Sequence, residues 1–364
     1  MDDELKFPFY AKASFFFIGM LALVYMLYIG RGIIVPIILS VIISIVLHPV
    51  VNFFVKIKVN RILAIIFTLL LAVMVIAAIG SFFFSQASRF SESWPKLVEK
   101  LTETFNEGVA WASGYFDISS QKIIDWFTKT KSDLLNSGDS SVGNTLAKLG
   151  TGVVLVFLIP VYVFMFLFYE PLLLEFLRRL FGKDNRSQVS GIITEVKTVI
   201  QSYLTGLVIE FAIMATLNSA ALLILGIEYA ILLGIIGALL NVIPYIGGLV
   251  AVALPMMVAF VTKTSAWYVV YVLAAYYFIQ LVDNNYIVPK IVASKVKINA
   301  LVSIIVVLAF GALWGIPGMF LSIPLTAIVK LIFDHIEPMK PWGFLLGDTM
   351  PDPAIFKIKI KKKK

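Results

Sequence analysis

Asp283 is the residue of this sequence best placed to do chemistry. It sits with Gln280, Asn284 and Asn285 near the end of an otherwise apolar run, Ala266–Val288. A carboxylate at membrane depth costs about 2.5–3.5 kcal/mol on insertion scales, so it must face protein, water or a bound cation. Glu210, in the apolar run Tyr203–Leu225, is the second such group. At 1.5 Å per residue, Glu210 lies about 9–10 Å from one end of its helix, and Asp283 about 8 Å from the same-side end of its own. Gln280 lies roughly one turn deeper. Two carboxylates at one depth can bind a cation or carry a proton. Two blander readings stay open: Glu210 could pair with Lys197, and Asn284 and Asn285 could end a helix before Pro289.

Two interrupted apolar stretches must position these groups. Asn241-Val-Ile-Pro244-Tyr245-Ile-Gly247-Gly248 breaks the stretch Glu228–Thr262, and Gly315-Ile-Pro317-Gly318 breaks the stretch Asn299–Leu331. Each half is about 14 residues, or roughly 21 Å of helix. The hydrocarbon core is about 30 Å thick, so each half suits one arm of a re-entrant hairpin. The two tips are expected to meet near the midplane above the carboxylates, with Asn241 and Tyr245 at the first tip. Broken helices leave backbone N–H and C=O groups in need of partners, which is tolerated only beside a cavity or a neighbour. Paired broken segments around intramembrane polar residues mark a transporter site. The alternative is that the Pro-Gly breaks are simple kinks.

The whole composition agrees with a membrane setting. The chain has 364 residues, of which 60% are hydrophobic and 14% charged, with a mean hydropathy of +0.95. Soluble domains are nearer 25% charged, so the expected class is an all-α polytopic membrane protein. Cysteine is absent and there are 2 His, with no HExxH pair and no phosphate-binding Gly-rich loop. Thiol chemistry, a zinc protease site and ATP hydrolysis are therefore not expected, nor is any cofactor beyond a coupling proton or sodium ion. The net charge of +8 owes much to the tail Lys357–Lys364. That tail suits anionic lipid at a bilayer surface rather than nucleic acid.

In chain order, residues 1–84 supply three expected spans, Ser14–Ile29, Ile33–Val55 and Ile62–Phe84. The first reads as an uncleaved span, because no small-residue cleavage site follows it. Residues 85–150 form an extracytoplasmic amphipathic region, with Trp94, Leu97, Val98, Leu101, Phe105 and Val109 at helical spacing. Residues 151–202 hold a fourth span, Gly152–Phe168, and a basic connector that starts at Glu170. Residues 203–333 form the transport core: a fifth span, the first broken segment, a sixth span Ala266–Val288, and the second broken segment. Residues 334–364 are a basic tail expected to be partly disordered. Lys and Arg in short loops favour the cytoplasm. Lys56, Lys58, Arg61, Lys290, Lys295, Lys297 and the tail all fall there if both broken segments return to the side they start from. Six spans, two hairpins and both termini inside is the resulting topology. Eight full spans is the alternative.

Several pieces then resemble the autoinducer-2 exporter family of bacterial inner-membrane transporters. They are Tyr203-Leu204-x-Gly206, Leu225-Gly226-Ile227-x-Tyr229-Ala230 through Ile243-Pro244-Tyr245-Ile246-Gly247, Gln280-x-x-Asp283-Asn284 leading to Pro289, and Gly315-Ile-Pro317-Gly318-Met319 through Pro324. The resemblance is dense over 203–331 and general before it. Asp283 departs from it where many relatives carry Glu, and Pro317 where Gly or Leu is usual. It implies a secondary transporter and a homo-oligomer, with members linked to export of autoinducer-2 and others to sodium/proton antiport. Export of a small polar solute is the expectation it supports. A cation/proton antiporter, a passive channel and an envelope scaffold are the competing readings.

Overall fold

The computed structural model describes residues 8–116, 141–180, 186–243, 247–292 and 296–350. These residues are helical almost throughout, and no strand occurs among them. Helices α1 (Phe9–Ile29) and α2 (Arg31–Lys56) meet at Gly30. Lys58, in left-handed conformation, turns the chain into α3, and Asn60 accepts from the Ile62 N–H at its start. Helix α3 (Arg61–Phe116) is 56 residues long, so the third span runs unbroken into the amphipathic region instead of ending at Phe84. The face where α2 ends is called here the proximal face, and the other the distal face.

Helix α4 (Ser141–Leu180) also exceeds its expected span. The expected connector does not begin at Glu170, because that residue lies inside α4. It is held there by ionic contacts from three other helices. His48 Nε2 lies 3.1 Å and Arg61 Nη2 3.3 Å from Glu170 Oε2, and Lys197 donates to Oε1. Arg61 Nη2 also donates to the Leu167 carbonyl at 2.9 Å. A carboxylate with several cationic partners costs far less at this depth than an unpaired one. The helix therefore runs on as far as Leu180.

Helix α5 (Arg186–Ile224) is continuous from the basic connector through the fifth span. Gly226, at φ 62°, and Tyr229, at φ 57°, turn it into the first broken segment. That segment comprises α6 (Ala230–Asn241), α7 (Gly247–Ala251) and α8 (Ala253–Thr262). Its two ends stand side by side: a Cβ added at Gly226, before α6, would lie 3.2 Å from Lys263 Nζ, just after α8. Ala230 and Leu233 share one buried cluster with Val258 and Ala259. The segment is thus a hairpin that returns to the distal face. Helix α6 descends antiparallel to α5, with Gly234 against Ser219, Gly237 against Asn218, and Asn241 against Glu210. Phe90, on the extension of α3, packs edge-on against Tyr229, with ring centroids 5.2 Å apart.

Helix α9 (Trp267–Val282) descends beside the hairpin, then widens into a π turn, Asp283–Ile287, and resumes as α10 (Val288–Ile291). Pro289 explains the widening, because a proline lacks an N–H and its ring crowds the carbonyl four residues back. The Val288 N–H reaches the Asp283 carbonyl, five residues back, in π fashion. Asn285 satisfies the Leu281 carbonyl at 2.7 Å. The asparagines therefore do not end the helix.

The second broken segment is α11 (Ala300–Trp314) and α12 (Ile316–His335), joined at Gly315 with φ 68°. Pro317 lies in the first turn of α12, where a missing N–H costs nothing. A 3-10 turn (Glu337–Met339) and α13 (Lys340–Leu346) follow, so the tail is ordered at least this far. Asn299, before α11, donates to the carbonyls of Leu345 (2.8 Å) and Gly347 (2.9 Å), just after α13. This segment is a hairpin too, returning to the proximal face.

Among the described residues six helices are long and apolar enough to cross a membrane, and five of them contain or overlap expected spans. They are α1, α2, the first part of α3, the second part of α4, α5 and α12. The expected sixth span corresponds to α9, its π turn and α10. Part of the 85–150 region and the Lys357–Lys364 tail lie outside the described residues.

Candidate functional site

The carboxylates predicted from sequence meet. Asn241 Nδ2, at the foot of α6, donates to Asp283 Oδ2 at 2.9 Å and to Glu210 Oε1 at 3.3 Å. Gln280 Nε2, one turn before Asp283, donates to the same Oδ2 at 3.2 Å and to Asn284 Oδ1 at 3.2 Å. Three elements therefore converge on one polar knot: α5 brings Glu210, the first hairpin brings Asn241, and α9 with its π turn brings Asp283. The π turn re-aims the side chains that follow it, a device found often at functional sites. Glu210 does not pair with Lys197, which is committed to Glu170.

Burial and charge set this knot apart. Asp283 is 1% exposed and Glu210 is 5% exposed. Among the described residues no Lys, Arg or His forms an ion pair with either. Asp283 Oδ1 is buried and has no hydrogen-bond partner. Two neighbouring buried carboxylates linked only by amide donors leave negative charge uncompensated, which a cation or a proton would relieve. The available oxygen donors suit a monovalent cation. Among the described residues no group of three or more His, Cys, Asp or Glu could hold a transition metal.

The knot opens into a cavity of about 680 Å³. Its upper wall includes Val252, Leu273, Tyr276 and Tyr277, its middle carries Glu210, Asn241, Gly248, Gln280, Asp283 and Asn284, and its proximal wall is Val292, Val296, Ile298, Ala300 and Ser303. Met214, Ala238, Ile279 and Ile287 form a buried apolar cluster beside the carboxylates, between α5, α6 and the α9–π-turn segment. A second cavity, of about 720 Å³, lies between α2, α4, α5 and α12. It is walled mostly by Leu, Ile and Val, and its polar groups His48, Glu170 and Lys197 satisfy one another.

Glycines permit the close approaches. A Cβ at Gly248 would lie 2.6 Å from Gln280 Oε1, and one at Gly206 would lie 2.6 Å from the Ile291 carbonyl. At Gly247 and Gly318 a Cβ would run into the carbonyls of Leu240 and Phe310. Close packing, not positive φ, is therefore what requires glycine at those two positions. Positive φ belongs to Gly226 and Gly315.

The second hairpin does not contribute its tip. Trp314 Nε1 donates to the Leu27 carbonyl at 3.0 Å, near the distal end of α1. Gly315, Pro317 and Gly318 therefore stand near the distal end of the helices, whereas Ser303, on the same hairpin, lines the cavity. Eleven residues of helix, about 16 Å, separate Ser303 from Trp314. The second tip therefore does not lie at the midplane; Val242, at the described foot of the first hairpin, packs on the cluster that contains Ile323 of α12. Pro244 and Tyr245 lie outside the described residues. Pro289 acts through the π turn and is not itself in the cavity lining.

Tyr203, Tyr276 and Gly248 join the lining without having been singled out. A signal existed for the tyrosines, because each precedes a carboxylate by seven residues and so shares its helix stripe.

The family model for AI-2E family transporters matches residues 16–337. The AI-2 transport protein TqsA of Escherichia coli K12 is 26% identical over 326 residues, covering 87% of this chain and 90% of that protein. YueF of Bacillus subtilis is 22% identical over 310 residues, 83% of each chain. YrrI of the same organism is 27% identical over 188 residues, about half of either chain (50% and 53%). Both Bacillus proteins also carry names of transport proteins. With the family match covering nearly the whole chain, this multi-pass bacterial membrane protein belongs to the AI-2E family of transporters.

Proposed function

We propose that the protein is a secondary transporter of the bacterial cytoplasmic membrane that moves a small polar solute against a counter-flow of protons or sodium ions. The carboxylate pair bridged by Asn241 is where the ion binds. The observation that carries this reading is the pair itself: two buried carboxylates, no basic partner among the described residues, and one orphaned oxygen, Asp283 Oδ1. Coupling requires that an ion bind two conformations with different affinity. A site built from a hairpin foot and two other helices meets that need, since moving α6 changes its ligands.

The proximal face is the cytoplasm in this reading. Lys56, Lys58, Arg61, Arg178, Arg179 and Lys297 cluster at that end of the helices, while Arg31 and Lys263 occupy short distal turns. The cavity then opens inward, which suits export. The solute is of the autoinducer-2 class or a related small polar metabolite, as the name of TqsA suggests for that relative.

Solute flux in proteoliposomes under imposed pH and sodium gradients tests the proposal. Asp283→Asn is expected to remove the gradient dependence with assembly intact. Glu210→Gln is expected to cause a smaller loss, since its contact to Asn241 is the longer one. Unchanged gradient dependence in Asp283→Asn means that the ion site lies elsewhere.

A further inference from the structure

Among the described residues, three buried side-chain atoms have no hydrogen-bond partner: Asp283 Oδ1, Asn218 Oδ1 and Tyr276 OH. The first belongs to the carboxylate site. The other two lie together elsewhere, on the same two helices. Asn218 follows Glu210 by eight residues on α5, and Tyr276 precedes Asp283 by seven on α9. These helices run in opposite directions, so both displacements lead towards the distal face, by about 10–12 Å.

The two groups meet at Gly237 on α6. A Cβ there would lie 3.2 Å from Asn218 Nδ2 and 3.4 Å from Tyr276 OH, so the missing side chain leaves the two polar groups facing one spot. Asn218 is 2% exposed and Tyr276 6%. Leaving a buried oxygen unpaired costs about 1–3 kcal/mol, and a polar spot with two or more partners is where an internal water settles. Tyr276 also belongs to the lining of the cavity that holds the carboxylates.

We propose that Asn218 and Tyr276 hold an internal water and form a second polar station on the distal side of the carboxylates. The coupling ion, released from the carboxylates, passes over this station on its way to the distal face. The role in transport rests on the ion-site reading above; the water site does not.

Radiolytic hydroxyl-radical footprinting of the purified, full-length protein in oxygen-18 water tests the station directly. Tyr276 is expected to take up label several-fold more than Trp314, which is buried to the same degree but already bonded through its indole N–H. Asn218→Leu is expected to lower the Tyr276 label at least fivefold while the melting temperature stays close to that of the unmodified protein. Label at Tyr276 no higher than at Trp314 overturns the station. In proteoliposomes, Tyr276→Phe is expected to reduce gradient-driven flux about tenfold. Flux at the unmodified rate overturns the station's role. Asp283→Asn run in parallel separates the two claims: if it alone abolishes gradient dependence, only the second station falls, and if it keeps that dependence while Tyr276 is labelled, only the ion-site reading falls.

Discussion

The two broken segments look alike as sequence, yet the fold uses them differently. The second hairpin is fixed at both ends. Trp314 ties its tip to the Leu27 carbonyl, and Asn299 ties its base to Leu345 and Gly347. Its middle is buried: Leu321 is fully shielded and Ala327 is 3% exposed. The first hairpin is fixed at its base, where Phe90 meets Tyr229 and the two ends stand together. Its described foot is packed through Ala238, Leu240 and Val242, and adds the hydrogen bonds of Asn241 to two carboxylates. A hairpin whose inner end includes ion-sensitive contacts can respond to an ion, whereas the ties of the second hairpin are an indole and a backbone strap with no such contact.

The largest expected effect comes from forcing a side chain into each close approach. At Gly318 a leucine meets the Phe310 carbonyl inside a hairpin with no freedom to shift, and overpacking of this kind costs about 1–3 kcal/mol or more. Gly318→Leu is expected to fail size-exclusion chromatography or to melt well below the unmodified protein. At Gly247 the same change meets the Leu240 carbonyl, beside the Asn241 contacts to the carboxylates. Gly247→Leu is expected to remain folded and to lose transport. If both variants lose the fold equally, the two hairpins do not differ in constraint.

Asn241 comes next. Asn241→Leu removes the donor shared by the carboxylates, and a hydrogen bond to a charged group is worth about 1.5–3 kcal/mol. That corresponds to a roughly 10- to 100-fold weaker ion dependence of transport. A variant with unchanged half-saturation for the ion would show that the bridge is incidental.

The positions of these groups were only partly legible in the sequence. Polar residues in an apolar run mark Asp283 and Glu210 without any structure, and counting turns put them at one depth. That Asn241 would bridge them could not be read, because the bond depends on how far the hairpin descends beside α5. The tips misled for a related reason. Counting residues to each Pro-Gly break gives arm lengths but not where the arms start. The second hairpin starts at the proximal end and climbs to the level of Leu27, so Gly315, Pro317 and Gly318 end far from the carboxylates. Glu170 misled in the opposite sense: alone it reads as the start of a polar connector, and only the three helices around it show why α4 continues. Pro289 signals a helix end by local rules, yet a π turn absorbs its missing N–H and the helix resumes as α10.

The smallest expected effect is at Trp314. Trp314→Phe keeps most of the apolar contact and loses one hydrogen bond, at about 1 kcal/mol. The melting temperature should fall by a few degrees while transport stays within about twofold. A large transport loss with stability intact would make the second tip a working part and erase the contrast between the hairpins.

The most direct test is ion-linked stability of the purified protein. A ligand that binds only the folded state adds about 2.7 kcal/mol at one hundred times its dissociation constant. The melting temperature of the unmodified protein should therefore rise and saturate as sodium chloride replaces choline chloride at constant ionic strength, or as the pH is lowered if the ion is a proton. In the double variant Glu210→Gln, Asp283→Asn that saturable rise should vanish. An equal rise in the double variant, or no saturable response of the unmodified protein to either ion, would contradict an ion site at the bridged carboxylates.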